Sequence, residues 1–141
     1  MKVKFTHQEL LGLQMSINSP SLGDYEGVKF CYALNKNCDK INKECTDIRK
    51  AMALDDSLIK KLDEKEVDGK TWEDMGEFLV GADLEDAEKQ KAIDKCKENV
   101  SFLSQEIEID VHGLKITDMP VNIKNKHYKL LTPLFNEEKT E

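Results

Sequence analysis

The stretch CYALNKNCDKINKECTDIRKAMALDDSLIKKL, Cys31 to Leu62, decides how the rest of the chain is read. Its apolar residues Cys31, Leu34, Cys38, Ile41, Cys45, Ile48 and Met52 recur at alternating spacings of three and four, and Ile59 and Leu62 keep the register. Such spacing lays one apolar stripe along an α-helix. Asp55 is the one break in it. Neither Gly nor Pro falls between Val28 and Asp68 apart from those ends, so the pattern predicts one long helix. Val67-Asp68-Gly69-Lys70 reads as a turn, after which Thr71 can cap a helix with acidic Glu73 and Asp74 in its first turn.

A second stripe follows at Ile93, Cys96, Val100, Leu103 and Ile107. Reversed about Gly69, it meets the first: Ile48 opposite Ile93, Cys45 opposite Cys96, Ile41 opposite Val100, Cys38 opposite Leu103, with Leu62 facing Leu79. That is the pattern of an antiparallel helical hairpin. The same stripes would also close between two chains. A helix from Cys31 to Glu66 would be about 50 Å long, whereas a compact domain of this size is about 37 Å across. The expectation is therefore a protruding, coiled-coil-like arm over 28–105.

Outward from the arm, Lys2-Val3-Lys4-Phe5 alternates like a half-buried strand. Thr6 with Glu9 forms a capping-box pattern ahead of a short helix through Leu10, Leu11 and Leu13 to Ile17. Residues 18–24 read as a loop. Ile107, Ile109 and Val111 alternate with charged residues as a strand does, and Leu114 and Ile116 resume the alternation after His112-Gly113, which is either a tight turn or a bulge. A short helix carrying Tyr128, Leu130, Leu131, Leu134 and Phe135 comes last, then a solvated tail over 136–141. The fold class is mainly α with a little β: one domain, a helical hairpin arm, and a base of 1–26 and 106–135 with a two- or three-stranded sheet and short flanking helices.

The 141 residues carry a net charge of −7, with 35% charged and 6% aromatic. This balance argues against a protein that coats nucleic acid, which needs Lys and Arg to neutralise phosphates. No apolar run approaches the roughly 20 residues of a membrane span, and no secretory leader is evident. Four cysteines without an export signal point to a reducing, cytoplasmic setting. Cysteines seven apart on a helix lie about 10 Å apart, too far to share a zinc ion. They read as small buried hydrophobes with inert thiols. His7, His112 and His127 stand in no triad or ligand spacing, and no phosphate-binding loop is present. No catalytic residue, cofactor or metal is expected.

Charge is unevenly spread. From Asp55 to Glu88, thirteen Asp and Glu stand against four Lys, a net of −9. The single tryptophan, Trp72, lies in this acidic segment with Phe78. Aromatics ringed by charge resemble binding hot spots, while the plainer reading is that Trp72 plugs the hairpin's end. The candidate protein-interaction residues are Asp68, Trp72, Glu73, Asp74, Glu77 and Phe78. A basic set on the shaft, Lys36, Lys40, Lys43 and Arg49, would instead suit an anionic ligand.

The order of parts, from the run Val28-Lys29-Phe30-Cys31-Tyr32-Ala33-Leu34-Asn35-Lys36-Asn37 through the charged hairpin to the run from Glu106 to Pro120 (EIEIDVHGLKITDMP), resembles small accessory proteins of bacteriophages that infect Gram-positive bacteria. The resemblance covers most of the chain in pattern and brings no catalytic motif. It implies a phage accessory protein acting inside a bacterial host. The protruding arm, the acidic tip and the absence of a catalytic motif then lead to the expectation of a non-enzymatic protein that binds a host or phage protein, for example to counter a host defence. Two alternatives stand beside it: an oligomeric sponge for a small signalling nucleotide, and a virion or assembly component built as a homo-oligomer.

Overall fold

The computed structural model describes residues 1–62 and 67–135. It is mainly helical, with one two-stranded antiparallel sheet. Two compact units are present, one made of residues 1–47 with 106–141 and the other of 48–105. No helix among the described residues is long and apolar enough to cross a membrane. The expected tail over 136–141 lies outside the described residues.

In the first unit, β1 (Lys2–Thr6) pairs with β2 (Glu106–Asp110), Val3 against Ile109 and Phe5 against Ile107. The alternation puts these four side chains on one face, where Phe5 and Ile109 are buried. Helix α1 (His7–Ile17) starts at the expected capping box. Thr6 Oγ1 accepts from the Glu9 amide at 3.1 Å, and Glu9 Oε1 accepts from the Thr6 amide at 2.9 Å. These bonds hold the Glu9 carboxyl below the usual range. Leu10, Leu13 and Ile17 form its buried face.

Helix α2 (Val28–Met52) packs that face against its own stripe. The Cys45 thiol donates to the Leu10 carbonyl and the Cys38 thiol to that of Ile17, at 3.6 and 3.8 Å. Asn42 accepts from Gln14 and Asn18 between them. The pairing is antiparallel, but Cys38 and Cys45 meet α1, where the stripe pattern matched them to Leu103 and Cys96, and Ile41 between them to Val100. Spacing records that a face is apolar; it carries no information on which other apolar face covers it.

The single helix expected from Val28 to Asp68 stops at Met52. Ala53, Leu54 and Asp55 leave the helix, and α3 (Asp56–Lys61) begins anew. Asp55, the break in the stripe, is the N-cap: its Oδ1 accepts from the amide and hydroxyl of Ser57 at 2.9 and 2.8 Å. The last carbonyls of α2 find side-chain donors. Buried Asn99 donates to Met52 O at 2.8 Å and Lys95 to Ala51 O at 2.7 Å. These groups would otherwise be left without partners at a helix end. A register that aligned Ile48 with Ile93 would set Met52 near Lys89. Asn99 takes that place, ten residues or about 15 Å further along the helix.

The hairpin that does form is shorter. Gly69, with φ +75°, makes the expected turn at 67–70. Helix α4 (Trp72–Val80) follows, with Thr71 Oγ1 accepting from the Asp74 amide at 3.1 Å, and five residues later α5 (Asp86–Leu103) returns beside it. Leu58, Met75, Leu79, Ala92 and Cys96 form a buried core cluster of this unit, with Leu62 packed against it.

After β2, His112-Gly113 is neither a hairpin turn nor a bulge within a continuing strand. The strand ends at Asp110 because buried Asn37 captures the backbone beyond it: its Nδ2 donates to His112 O at 2.9 Å and its Oδ1 accepts from His112 N at 2.7 Å. Leu114 then forms an isolated parallel bridge to Phe135, and Ile116–Asp118 is a 3-10 turn. Helix α6 (Asn125–Leu131) comes last and is shorter than expected: Leu134 falls in a further 3-10 turn at Thr132–Leu134, and Phe135 in the bridge to Leu114.

Candidate functional site: an acidic-rimmed groove between two helices

The residue types of α4 sort by angle. At about 100° per residue, Met75, Phe78 and Leu79 turn to the core, while Trp72, Glu73, Gly76, Glu77 and Val80 share the adjoining face. Against that face, α5 presents Ile93, Cys96, Lys97 and Val100 at spacings of three and four. Together these nine residues line a groove of about 490 Å³. Gly76 faces α5: a Cβ there would lie 3.8 Å from the Cys96 Cβ, an ordinary contact distance. The stripe expected to seal against the long helix thus forms a wall of this groove, with Ile93 and Val100 half-buried and Cys96 at its floor. Burial raises the Cys96 thiol pKa, which keeps it a neutral, apolar lining group.

Three of the six interaction candidates, Trp72, Glu73 and Glu77, come together here. Trp72 packs on the unit's core and lines the groove at once. Val80 stays 65% exposed at the other end of α4. The remaining three candidates belong elsewhere. Asp68 sits in the turn before α4. Asp74 points away from the groove in the capped first turn. Phe78 packs on the core, with the Lys70 ammonium 5.5 Å over its ring. Periodicity could have made this division, since Asp74 and Phe78 fall well over 100° from the Gly76 direction on a 3.6-residue helix. Of the groove residues that sequence reasoning did not single out as a site, Gly76 and Val80 carry that same signal, and Lys97, on α5, does not.

Glu73 and Glu77 are exposed, one turn apart, and neither has a side-chain partner among the described residues. Lys97 stands on the opposite rim, likewise unpaired. From 67 to 88, eight Asp and Glu face Lys70 alone.

Of the basic set, Lys36, Lys40 and Lys43 fall on one exposed face of α2, but Arg49 lies about 140° around the helix from Lys36 and does not join them. Tyr32, 55% exposed, belongs to the same face, with Lys36 5.5 Å over its ring and His112 edge-on to it. Lys40 is already engaged, donating to Asp110 O at 2.6 Å.

One polar cluster was not foreseen. Buried His127 lies between Tyr25, whose hydroxyl is 2.7 Å from Nδ1, and Ser21, whose Oγ is 3.2 Å from Nε2. The Lys124 amide donates to the Tyr25 oxygen at 2.9 Å, which leaves the phenol proton for Nδ1. Nε2 then carries the ring proton and donates to Ser21. In that tautomer the histidine donates to Ser21, and the trio ties the 18–25 loop to α6. Burial, with Lys126 and Lys124 nearby, lowers the His127 pKa. Each cysteine of α2 is likewise accounted for by a separate carbonyl, Cys31 Sγ by Tyr25 O at 3.4 Å.

Comparison of the chain with protein-family models, curated proteins and solved structures found no match.

Proposed function

We propose that this chain is a non-enzymatic binding protein that engages another protein through the α4–α5 groove. The observation that carries the reading is an apolar trough, open to solvent, whose acidic rim has no partner within the described chain. Exposed rim charges contribute only about 0.2–1 kcal/mol each, so they select the partner, while Trp72, Val80, Ile93 and Val100 supply the affinity. In the setting that the phage resemblance implies, the protein acts in the cytoplasm of an infected bacterium, and the partner is a host or phage protein, such as a component of host defence.

The test compares three tagged forms as baits: the native chain, Val80→Asp, and the triple change of Lys36, Lys40 and Lys43 to Glu. Val80 is exposed, so its substitution leaves the fold intact. A stoichiometric protein recovered by the native and triple-variant baits but lost with Val80→Asp supports the groove. Recovery that is indifferent to Val80→Asp removes it.

The second reading, sequestration of a small anionic ligand, is favoured by the shared face of Lys36, Lys40, Lys43 and Tyr32. Native mass spectrometry of the chain isolated from host cells, alone and as the triple variant, decides it. A discrete small-molecule adduct on a homo-oligomer of the native chain alone is the expected sign.

A further inference from the structure

Resting on the groove reading above, we infer that the occupant is an amphipathic α-helix of the partner, basic along one flank and acidic or polar along the other. Three observations lead there. The groove runs beside α4 for the nine residues Trp72–Val80, about 13 Å, which is between two and three helical turns. Its apolar lining is arranged as two helical stripes, Trp72, Gly76 and Val80 facing Ile93, Cys96 and Val100. A third helix laid along two such stripes completes a three-helix layer with side chains at i, i+3, i+4 and i+7 in the trough.

The rims give the occupant its handedness. On the α4 side stand two carboxylates, Glu73 and Glu77, spaced i, i+4, and on the α5 side one ammonium, Lys97, each without a partner among the described residues. A helix carrying Lys or Arg at i, i+4 on the α4 flank and Asp or Glu on the α5 flank satisfies all three. A helix with these flanks exchanged meets like charge on both sides. Charge thus orients the helix, and the surrounding acidic excess of 67–88 draws a basic partner toward it.

Gly76 offers the decisive handle. A methyl group there meets only ordinary contact distances, so Gly76→Ala keeps the groove, whereas Gly76→Leu extends a side chain into it. The experiment is a selection of displayed 16-residue helical peptides against the full native chain, counter-selected with Gly76→Leu, both proteins verified folded by circular dichroism. The expected outcome is enrichment of sequences with an apolar i, i+3/i+4, i+7 stripe and Lys or Arg on one flank. Synthesised winners should bind native protein and Gly76→Ala alike, and Gly76→Leu and Val80→Asp at least tenfold more weakly. The Glu73→Lys, Glu77→Lys pair should weaken them several-fold and abolish the salt dependence. No enrichment, an acidic consensus, or winners indifferent to Gly76→Leu overturns the inference. So does Val80-dependent self-association on sedimentation, which makes the occupant a second copy, or Gly76-sensitive binding to anionic vesicles, which makes it a lipid surface. If the peptide selection fails while a captured protein is still lost with Val80→Asp, the helical occupant is refuted and the groove survives; if capture is also indifferent, both fall.

Discussion

Asn37→Asp should turn the first unit into a pH-sensitive one. Asn37 is fully buried and makes both bonds of a miniature strand pairing, donating to His112 O and accepting from His112 N. The substitution keeps the shape and replaces the donor with oxygen. When protonated, the new carboxyl reproduces both bonds. When ionised, it sets a buried negative oxygen against the His112 carbonyl, 2.9 Å away in the native pairing. Lys40, one turn on, is committed to Asp110 O at 2.6 Å and gives little relief. Burial and the facing carbonyl raise the folded pKa of this carboxyl above its unfolded value of about 3.9. With the folded pKa raised, the neutral form is the stable one. The variant is near native below the unfolded pKa and loses about 1.4 kcal/mol per pH unit above it until the folded pKa is passed. A shift of about two units, at the modest end for buried carboxyls, gives a deficit of about 2.7 kcal/mol at pH 7, or roughly 8–10 °C in melting temperature for a chain of this size. Trp72 fluorescence reports the 48–105 unit, so the readout should be far-ultraviolet circular dichroism in urea, with amide exchange at His112 as the local probe. Equal deficits at pH 3.5 and pH 7, or less than about 1 kcal/mol at pH 7, would refute the reasoning.

Three further outcomes are expected. His127 faces Tyr25, Ser21, Lys124 and Lys126 and has its pKa lowered, so the stability contributed by the neutral ring is present above the unfolded value of about 6.5 and lost as pH falls through the folded one; urea midpoints at pH 7.5 and 5 should differ more for the native chain than for His127→Gln. Asn99→Ala strips the donor from Met52 O in a buried setting and should cost about 1–3 kcal/mol, measured by denaturation followed at Trp72. Thiol titration under native conditions should modify Cys31 first, with Cys45 and Cys96 protected until unfolding, since both are buried and burial raises the Cys38 and Cys96 pKa values.

Much of the local structure was legible residue by residue. The capping box at Thr6 and Glu9, the cap at Thr71, the turn at Gly69 and the strands at 3–5 and 107–109 each depend on groups within a few residues of one another or on strict alternation. These are the interactions that spacing encodes. The break at Asp55 was visible as the one polar residue in an apolar stripe, but its force as a stop was not. Ending α2 there requires Asn99 and Lys95, more than forty residues away, to satisfy carbonyls that would otherwise be bonded only by continuing the helix. Three of the groove's nine lining residues, Trp72, Glu73 and Glu77, could be listed by composition, and Gly76 and Val80 follow from the period of α4, but Lys97 joins them only because α5 lies alongside.

By itself the sequence determined which faces are apolar, where helices are capped, that two strands alternate, and that the acidic excess gathers between 55 and 88. The tertiary structure alone decided which apolar face covers which. Periodicity constrains a helix's own geometry, since side chains at i, i+3 and i+4 must share a side. The hydrophobic effect that joins such sides is non-directional and proportional to area, so α1 and a second long helix were equivalent partners for the stripe of α2. Directional groups broke that tie: Asn37 on His112, Asn42 on Gln14 and Asn18, and Asn99 on Met52. Buried amides are costly when unpaired, and this selects one pairing of faces among several of similar area.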